Sequence, residues 1–181
     1  MKNILFYLII SFSTLVFSQK IKYSLNTSNS YIQYKASHLL HDWSGINNNL
    51  KGVIVYNSKS NNFDKLAVLA KISDFDSKNI NRDSRSHEIL EILSFPQIKF
   101  FSDKINIDQK KITLKGLIDF HGIVVDQNVN ADIVRKENIF ILSGNIKISL
   151  LDFNISLPSF MFSKIEEVVE VYFEIEFIKE N

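Results

Sequence analysis

Val169-Glu170-Val171-Tyr172-Phe173-Glu174-Ile175-Glu176-Phe177 carries an apolar residue at every odd position and, Tyr172 apart, a carboxylate at every even one. Successive side chains of a strand point to opposite faces, so this stretch reads as a strand with one dry and one wet face. Wound as a helix, the same residues would scatter their apolar groups around the cylinder. Period two recurs outward from here. Phe140, Leu142, Ile146, Ile148 and Leu150 form one row, and Val125, Val129, Ala131 and Ile133 oppose Asp126, Asn128, Asn130 and Asp132. Ile112, Leu114, Ile118 and Phe120 share a parity against Thr113, Lys115 and Asp119. Ile98 and Phe100 flank Lys99; Leu66, Val68, Ala70 and Ile72 alternate with Lys65, Ala67 and Lys71; Ile32, Tyr34 and Ala36 alternate with Gln33 and Lys35.

With Leu50 to Tyr56 added, about eight strands are expected. Their separators are turn-like: Asn57 to Asn62, Asp108-Gln109-Lys110 and Lys136-Glu137-Asn138. Connections this short imply antiparallel neighbours. One segment departs from the period. Arg82 to Leu93 spaces Ile89, Leu90 and Leu93 helically, with Asp83 or Ser84 as cap and Pro96 beyond the end. Asp152 to Lys164, with Pro158 and the Phe160-Met161-Phe162 cluster, is irregular. So many one-sided strands must close on themselves. The expected fold is all-β: an antiparallel up-and-down β-barrel of about eight strands, with one short helix inserted near residues 82–93. A filled two-sheet sandwich satisfies the same period.

The first residues read as an export signal. Lys2 precedes the apolar run Ile4 to Phe17, and Val16 and Ser18 suit cleavage before Gln19. That run is shorter than the ~20 residues of a spanning helix. The expectation is a cleaved signal at 1–18, one domain over 19–181, and a periplasmic or secreted protein without stable membrane insertion. The whole chain carries +1, so losing Lys2 with the signal leaves it neutral, which gives no electrostatic case for nucleic acid. There is no cysteine, which closes disulfides, thiolate metal sites, cysteine nucleophiles and a lipid anchor on cysteine.

Chemistry-bearing motifs are sparse. His38 and His41 with Asp42 offer two imidazoles and a carboxylate, but on one strand their spacing points them to opposite faces. The expected role is hydrogen bonding to loop backbone near the barrel rim, not metal binding. No G-x-S-x-G elbow and no glycine-rich phosphate loop is present. Arg82, Asp83 and Arg85 suit either an anionic headgroup or local ion pairs and caps. Trp43, the single tryptophan, suits either ligand contact or core.

Ser37-His38-Leu39-Leu40-His41-Asp42-Trp43-Ser44-Gly45 resembles the first signature of the YceI-like family. Asn81-Arg82-Asp83, Phe95 to Phe100, Leu114 to Ile123, Leu151 to Ile155 and Pro158 to Phe162 match further pieces in order. The likeness runs from about Tyr23 to Phe177. Asn29, Val124 and Asn154 depart from the family's usual histidine, threonine and glycine. The resemblance implies an exported lipocalin-like barrel that holds an isoprenoid or other long-chain lipid, and it brings no catalytic residues.

The expected function is therefore a lipid- or isoprenoid-binding protein for storage, transport or sensing, with no catalysis, metal or cofactor. Alternation nominates Ile32, Tyr34, Phe100, Leu114, Ile118, Phe140, Leu142, Val171 and Phe173 as lining, with Trp43 near one end. Two other readings stand: a filled barrel that binds a protein partner, and a small-substrate hydrolase using His38, His41 or His121. A homodimer stays open.

Overall fold

A computed structural model describes residues 20–38, 41–160 and 163–180. The expected signal at 1–18 lies outside these, as do Leu39, Leu40, Met161 and Phe162. The strands are β1 (Lys20–Leu25), β2 (Tyr31–His38), β3 (His41–Asn47), β4 (Leu50–Asn57), β5 (Asn62–Lys71), β6 (Gln97–Asp108), β7 (Lys111–Phe120), β8 (Ile123–Lys136), β9 (Ile139–Ser149), β10 (Ser159–Phe160), β11 (Ser163–Lys164) and β12 (Val168–Lys179). One helix, α1 (Ile80–Ile89), interrupts them.

From β4 to β9 each strand pairs with its successor, and β9 pairs with β12. β12 shares its other edge between two partners. Its last residues pair with β1 through Leu25↔Phe177, and its first with β2 through Tyr34↔Val171. Because β1 also pairs with β4, the sheet closes. β1 and β2 act as one strand broken at the 3-10 turn Thr27–Asn29, and β3 and β4 as another broken at Asn48-Asn49. Counted so, the molecule is a closed eight-stranded antiparallel barrel, which decides for the expected barrel over the sandwich that the alternation left open.

Both breaks have a side-chain cause. At the first, the Glu176 carboxylate is 8% exposed and accepts from the Asn26 amide at 2.6 Å and the Asn29 amide at 3.0 Å. At the second, buried Asn47 donates to the Lys71 carbonyl at 2.9 Å and accepts from the Asn49 N–H at 2.8 Å. These polar groups satisfy backbone that leaves the ladder, so the strands bend without orphaned hydrogen bonds. The separators expected from sequence all join neighbouring strands. His121 and Gly122 connect β7 to β8 with φ 51° and 73°, the left-handed pair that a two-residue hairpin requires.

Two expectations about local structure are corrected. Neither Asp83 nor Ser84 caps α1. Asn79 does, its side chain accepting from the Asn81 and Arg82 N–H groups at 3.1 Å each. Asp83 instead accepts from the Ser77 N–H at 3.2 Å. The helix begins before the apolar phase because exposed Ile80 needs no core contact. At its end Ile89 and Leu90 pack inward, but Leu93 is fully exposed, since the chain turns away at Glu91 with φ 46°. The second correction concerns His38 and His41. They do not share one strand, which would point them to opposite faces, but stand on β2 and β3 and pair directly across the hairpin. An antiparallel pair points both side chains to one face, and their rings lie 5.9 Å apart.

Inward residues form two packed clusters. One, at the end bearing the β6–β7 and β8–β9 turns, includes Tyr23, Leu50, Ile54, Phe63, Ile112, Leu142 and Phe177. The other, at the α1 end, gathers Ile72, Ile118, Phe120, Ile148, Phe153 and Ile155. Half-buried Phe100 and Ile146 touch both clusters.

Candidate functional site: the waist and mouth of the barrel

The residues nominated by alternation all lie on inward rows, but at two levels. Leu114, Ile118, Phe140 and Leu142 are between 2% and 6% exposed and belong to the packed clusters. Phe140 sits among the Tyr23, Phe63 and Tyr56 rings, with centroids 4.6, 4.8 and 5.6 Å away. Ile32, Tyr34, Trp43, Phe100, Val171 and Phe173 are only half-buried although they share the same inward parity. Registers place them side by side: Ile32↔Phe173, Tyr34↔Val171, Ala36↔Trp43. Phe100 on β6 stands beside Ile118 on β7, with half-buried Val125 next to it on β8.

Glycines decide where these rings lie. A Cβ added at Gly116 would stand 2.6 Å from Phe100 Cζ, and one at Gly144 would stand 3.2 Å from Phe173 Cζ. At Gly45 it would stand 2.8 Å from Tyr34 Cζ. Each glycine occupies an inward position of a neighbouring strand, so each ring folds flat against the wall next to its own strand. Rings lying on the wall take up less of the axis than rings projecting inward. Sequence reasoning passed over these three glycines. For two of them the signal was a gap in the apolar row, Leu114-x-Gly116-x-Ile118 and Leu142-x-Gly144-x-Ile146.

Above the waist, the β2–β3 hairpin and the first turn of α1 frame one end. Trp43 stacks near His41, with centroids 5.5 Å apart. The Arg82 guanidinium lies 5.6 Å over the Trp43 ring, within cation–π range. Burial first, then the nearby Asp83 carboxylate, pushes the Tyr34 phenol above its ordinary 10.0; Arg82 and a Trp43 hydrogen bond pull the other way. Phe75 covers the far side of Tyr34 at 5.8 Å.

His121 does different work. Its Nδ1 meets the Phe153 carbonyl at 3.0 Å and its Nε2 the Glu91 carboxylate at 3.1 Å. It thereby ties the β7–β8 hairpin to the segments that follow β9 and α1. Among the described residues His38, His41 and His121 do not converge on one point, and no three groups of metal-ligating type come together. Arg85 pairs with Glu88 at 2.7 Å on the exposed face. No described helix is long and apolar enough to cross a membrane.

Comparison with known proteins agrees with this architecture. BcnA of Burkholderia cenocepacia superposes with a TM-score of 0.75 at 13% identity, covering 84% of this chain and 98% of that one. A polyisoprenoid binding domain from Saccharophagus degradans, implicated in plant cell wall breakdown, does so at 0.71 and 13%, covering 89% and 100%. At such identities the likeness is one of fold. In sequence, the UPF0312 protein YE1254 of Yersinia enterocolitica is 27% identical over 138 residues, 70% of this chain and 71% of its own length. The family profile described as the YceI-like domain matches residues 23–177, which is nearly the whole described barrel, and the chain belongs to the YceI-like family.

Proposed function

We propose that this chain is an exported binding protein that encloses a long-chain apolar ligand, an isoprenoid or another lipid, along the barrel axis. The observation that carries the proposal is the flattening of Tyr34, Phe100 and Phe173 onto glycines while all three stay half-buried. In this reading Ile32, Val171 and those three rings form the wall, and Phe140 and Leu142 form the floor. The superposition on a polyisoprenoid binding domain supports it. So does the apolar run Ile4 to Phe17, which supports export to the periplasm or beyond.

Enclosure alone supplies enough affinity. Burying ~15 methylenes at ~0.8 kcal/mol each gives a gross ~12 kcal/mol. Association and ordering remove several of these. Micromolar binding needs only about 8 kcal/mol. No catalytic step enters this reading: His121 holds the Phe153 carbonyl and the Glu91 carboxylate, and the His38 and His41 rings pack against each other.

Native mass spectrometry of the exported protein, followed by organic extraction, tests the proposal. A discrete added mass that extracts as a prenyl or acyl chain is expected. A clean apo mass, with no uptake of offered prenyl or acyl lipids, refutes it and leaves the filled-barrel reading.

A further inference from the structure

We infer that the outer wall of the barrel carries a second binding site, a pocket at the break between β1 and β2 that takes a small linear diamine. The site lies outside the barrel axis and is independent of any ligand held there.

A pocket of about 410 Å³ opens between the 3-10 turn Thr27–Asn29, Asn48 at the other strand break, and Tyr31, Ile141, Glu174 and Glu176. Its volume is that of a small-molecule site. Two of the residues that line it carry carboxylates and none carries a positive charge. Both glutamates stand on the outward row of β12, opposite in parity to buried Ile175 and Phe177.

Glu176 is the point of departure. It is only 8% exposed, and a carboxylate so far out of water is costly without a cation. Among the described residues no lysine or arginine pairs with it. Its two side-chain bonds, from the Asn26 amide at 2.6 Å and the Asn29 amide at 3.0 Å, both fall on Oε1. Oε2 meets no donor among the described residues. In that set Asn62 Oδ1 is the one fully buried side-chain polar atom without a bond, so Oε2 of Glu176 reaches open space. The open space that Glu176 lines is this pocket. The strand holds the group in place: the Glu176 N–H donates to Ser30 Oγ at 3.0 Å, and Ser30 Oγ donates to the Asn26 carbonyl at 2.7 Å. A glutamine would bend the strand as well, since its side-chain oxygen accepts the same two bonds. The negative charge and the free oxygen go beyond that structural role.

Glu174 supplies a second charge. It lies two residues along the same face, about 7 Å away by the rise of a strand. Among the described residues it has no ion pair or hydrogen bond. Lys22 and Lys35 on the adjoining strands are engaged elsewhere, with Glu180 at 2.8 Å and over the Tyr172 ring at 4.4 Å. Beside each carboxylate stands an apolar partner: Glu174 pairs with Tyr31, and Glu176 with Ile141. Two anions so spaced, with a ring and an aliphatic side chain next to them, fit two ammonium groups joined by a short alkyl chain. A bare metal ion suits the place less, because no three metal-ligating groups converge among the described residues.

Calorimetric titration of the purified protein with 1,5-diaminopentane, 1-aminopentane and 1,5-pentanediol at pH 7.5 and low salt tests the inference. The diamine should bind about tenfold tighter than the monoamine, the scale of one charge-assisted hydrogen bond, and the diol should not bind. Glu176→Gln should keep the melting temperature and weaken both amines about tenfold. Glu174→Gln should bring the diamine down to the monoamine and leave the monoamine unchanged. Ser28→Lys, on the exposed turn, should set an ammonium in the pocket and abolish uptake of both amines, and it decides the matter if Glu176→Gln does not fold. No uptake of the diamine by the unaltered protein overturns the site. So does diamine binding that survives Glu176→Gln or Ser28→Lys, which would place it elsewhere on the wall. Equal binding of diamine and diol overturns the role of charge, and equal binding of diamine and monoamine overturns the part given to Glu174.

Discussion

Truncating one ring at the floor and one at the wall separates packing from binding. Phe140 is 6% exposed and wedged among three aromatic rings. Removing a fully packed phenylalanine costs about 3–5 kcal/mol, since the transfer energy and the residual cavity add. For a domain of this size each kcal/mol lowers the midpoint by about 2–4 °C, so Phe140→Ala should melt roughly 10 °C lower. Uptake of a fluorescent 16-carbon chain, measured well below that midpoint, should be unchanged. Phe173 is only half-buried, so Phe173→Ala should cost less, about 1 kcal/mol of stability. The same truncation strips ligand contact and should weaken the chain several-fold. Scanning calorimetry and a fluorescence titration on the two variants suffice. A Phe140→Ala protein that melts normally but takes up no chain would refute the assignment of floor and wall. So would a Phe173→Ala protein that loses as much stability as Phe140→Ala with its uptake intact.

Gly116→Ala should destabilise by about 1–3 kcal/mol, because the new methyl meets the fixed Phe101 carbonyl and the Phe100 ring, and overpacking of this kind forces shifts. By turning Phe100 into the bore it should also depress chain uptake; urea unfolding and titration check both, and normal uptake in a destabilised variant would argue against an open axis. Acid should loosen the closing strand first. Lys22, then Ser24, hold the Glu180 carboxylate below its ordinary 4.5, and Lys20, then Asn57, hold Asp64 below 3.8. Both are depressed in the folded state, so their contribution is present above those values and fades as the pH falls through the lower folded ones. Amide exchange in β1 should therefore rise on acidification before that in β7, and a Lys20→Gln/Lys22→Gln protein that keeps the same profile would refute this.

What was legible in the sequence was a set of one-sided antiparallel strands; their closure into a barrel instead of a sandwich was decided by the pairing of β1 with both β4 and β12. Strict alternation in Ile112 to Phe120, Phe140 to Leu150 and Val169 to Phe177 has one physical meaning, a strand with one dry face, and polar turns between such strands leave antiparallel pairing as the short route. β1 and β3 were not read. Lys20–Leu25 is too short to declare a period, and His41–Asn47 carries its inward face on Trp43, Gly45 and buried Asn47 instead of aliphatic residues. The extension of β6 past Phe100 was hidden by a register shift near Asp103, which breaks the alternation.

The candidate site divides along the same line. Parity alone selected the inward residues, because side-chain direction in a strand is local geometry. Which of them are packed and which stay half-exposed is not local. It depends on what faces them across the barrel and on whether the adjoining strand offers a glycine for the ring to lie on. Phe100 and Phe140 are indistinguishable in their own rows. Gly116 lays one against the wall, and Tyr23 and Phe63 lock the other into the floor. The meeting of Arg82 with Trp43 is likewise a tertiary decision, made when the first turn of α1 comes over the β2–β3 hairpin. Sequence by itself determined which way each side chain points, because that is a property of the backbone period. Only the closed barrel determined what each one meets, because that is a property of strands far apart in the chain.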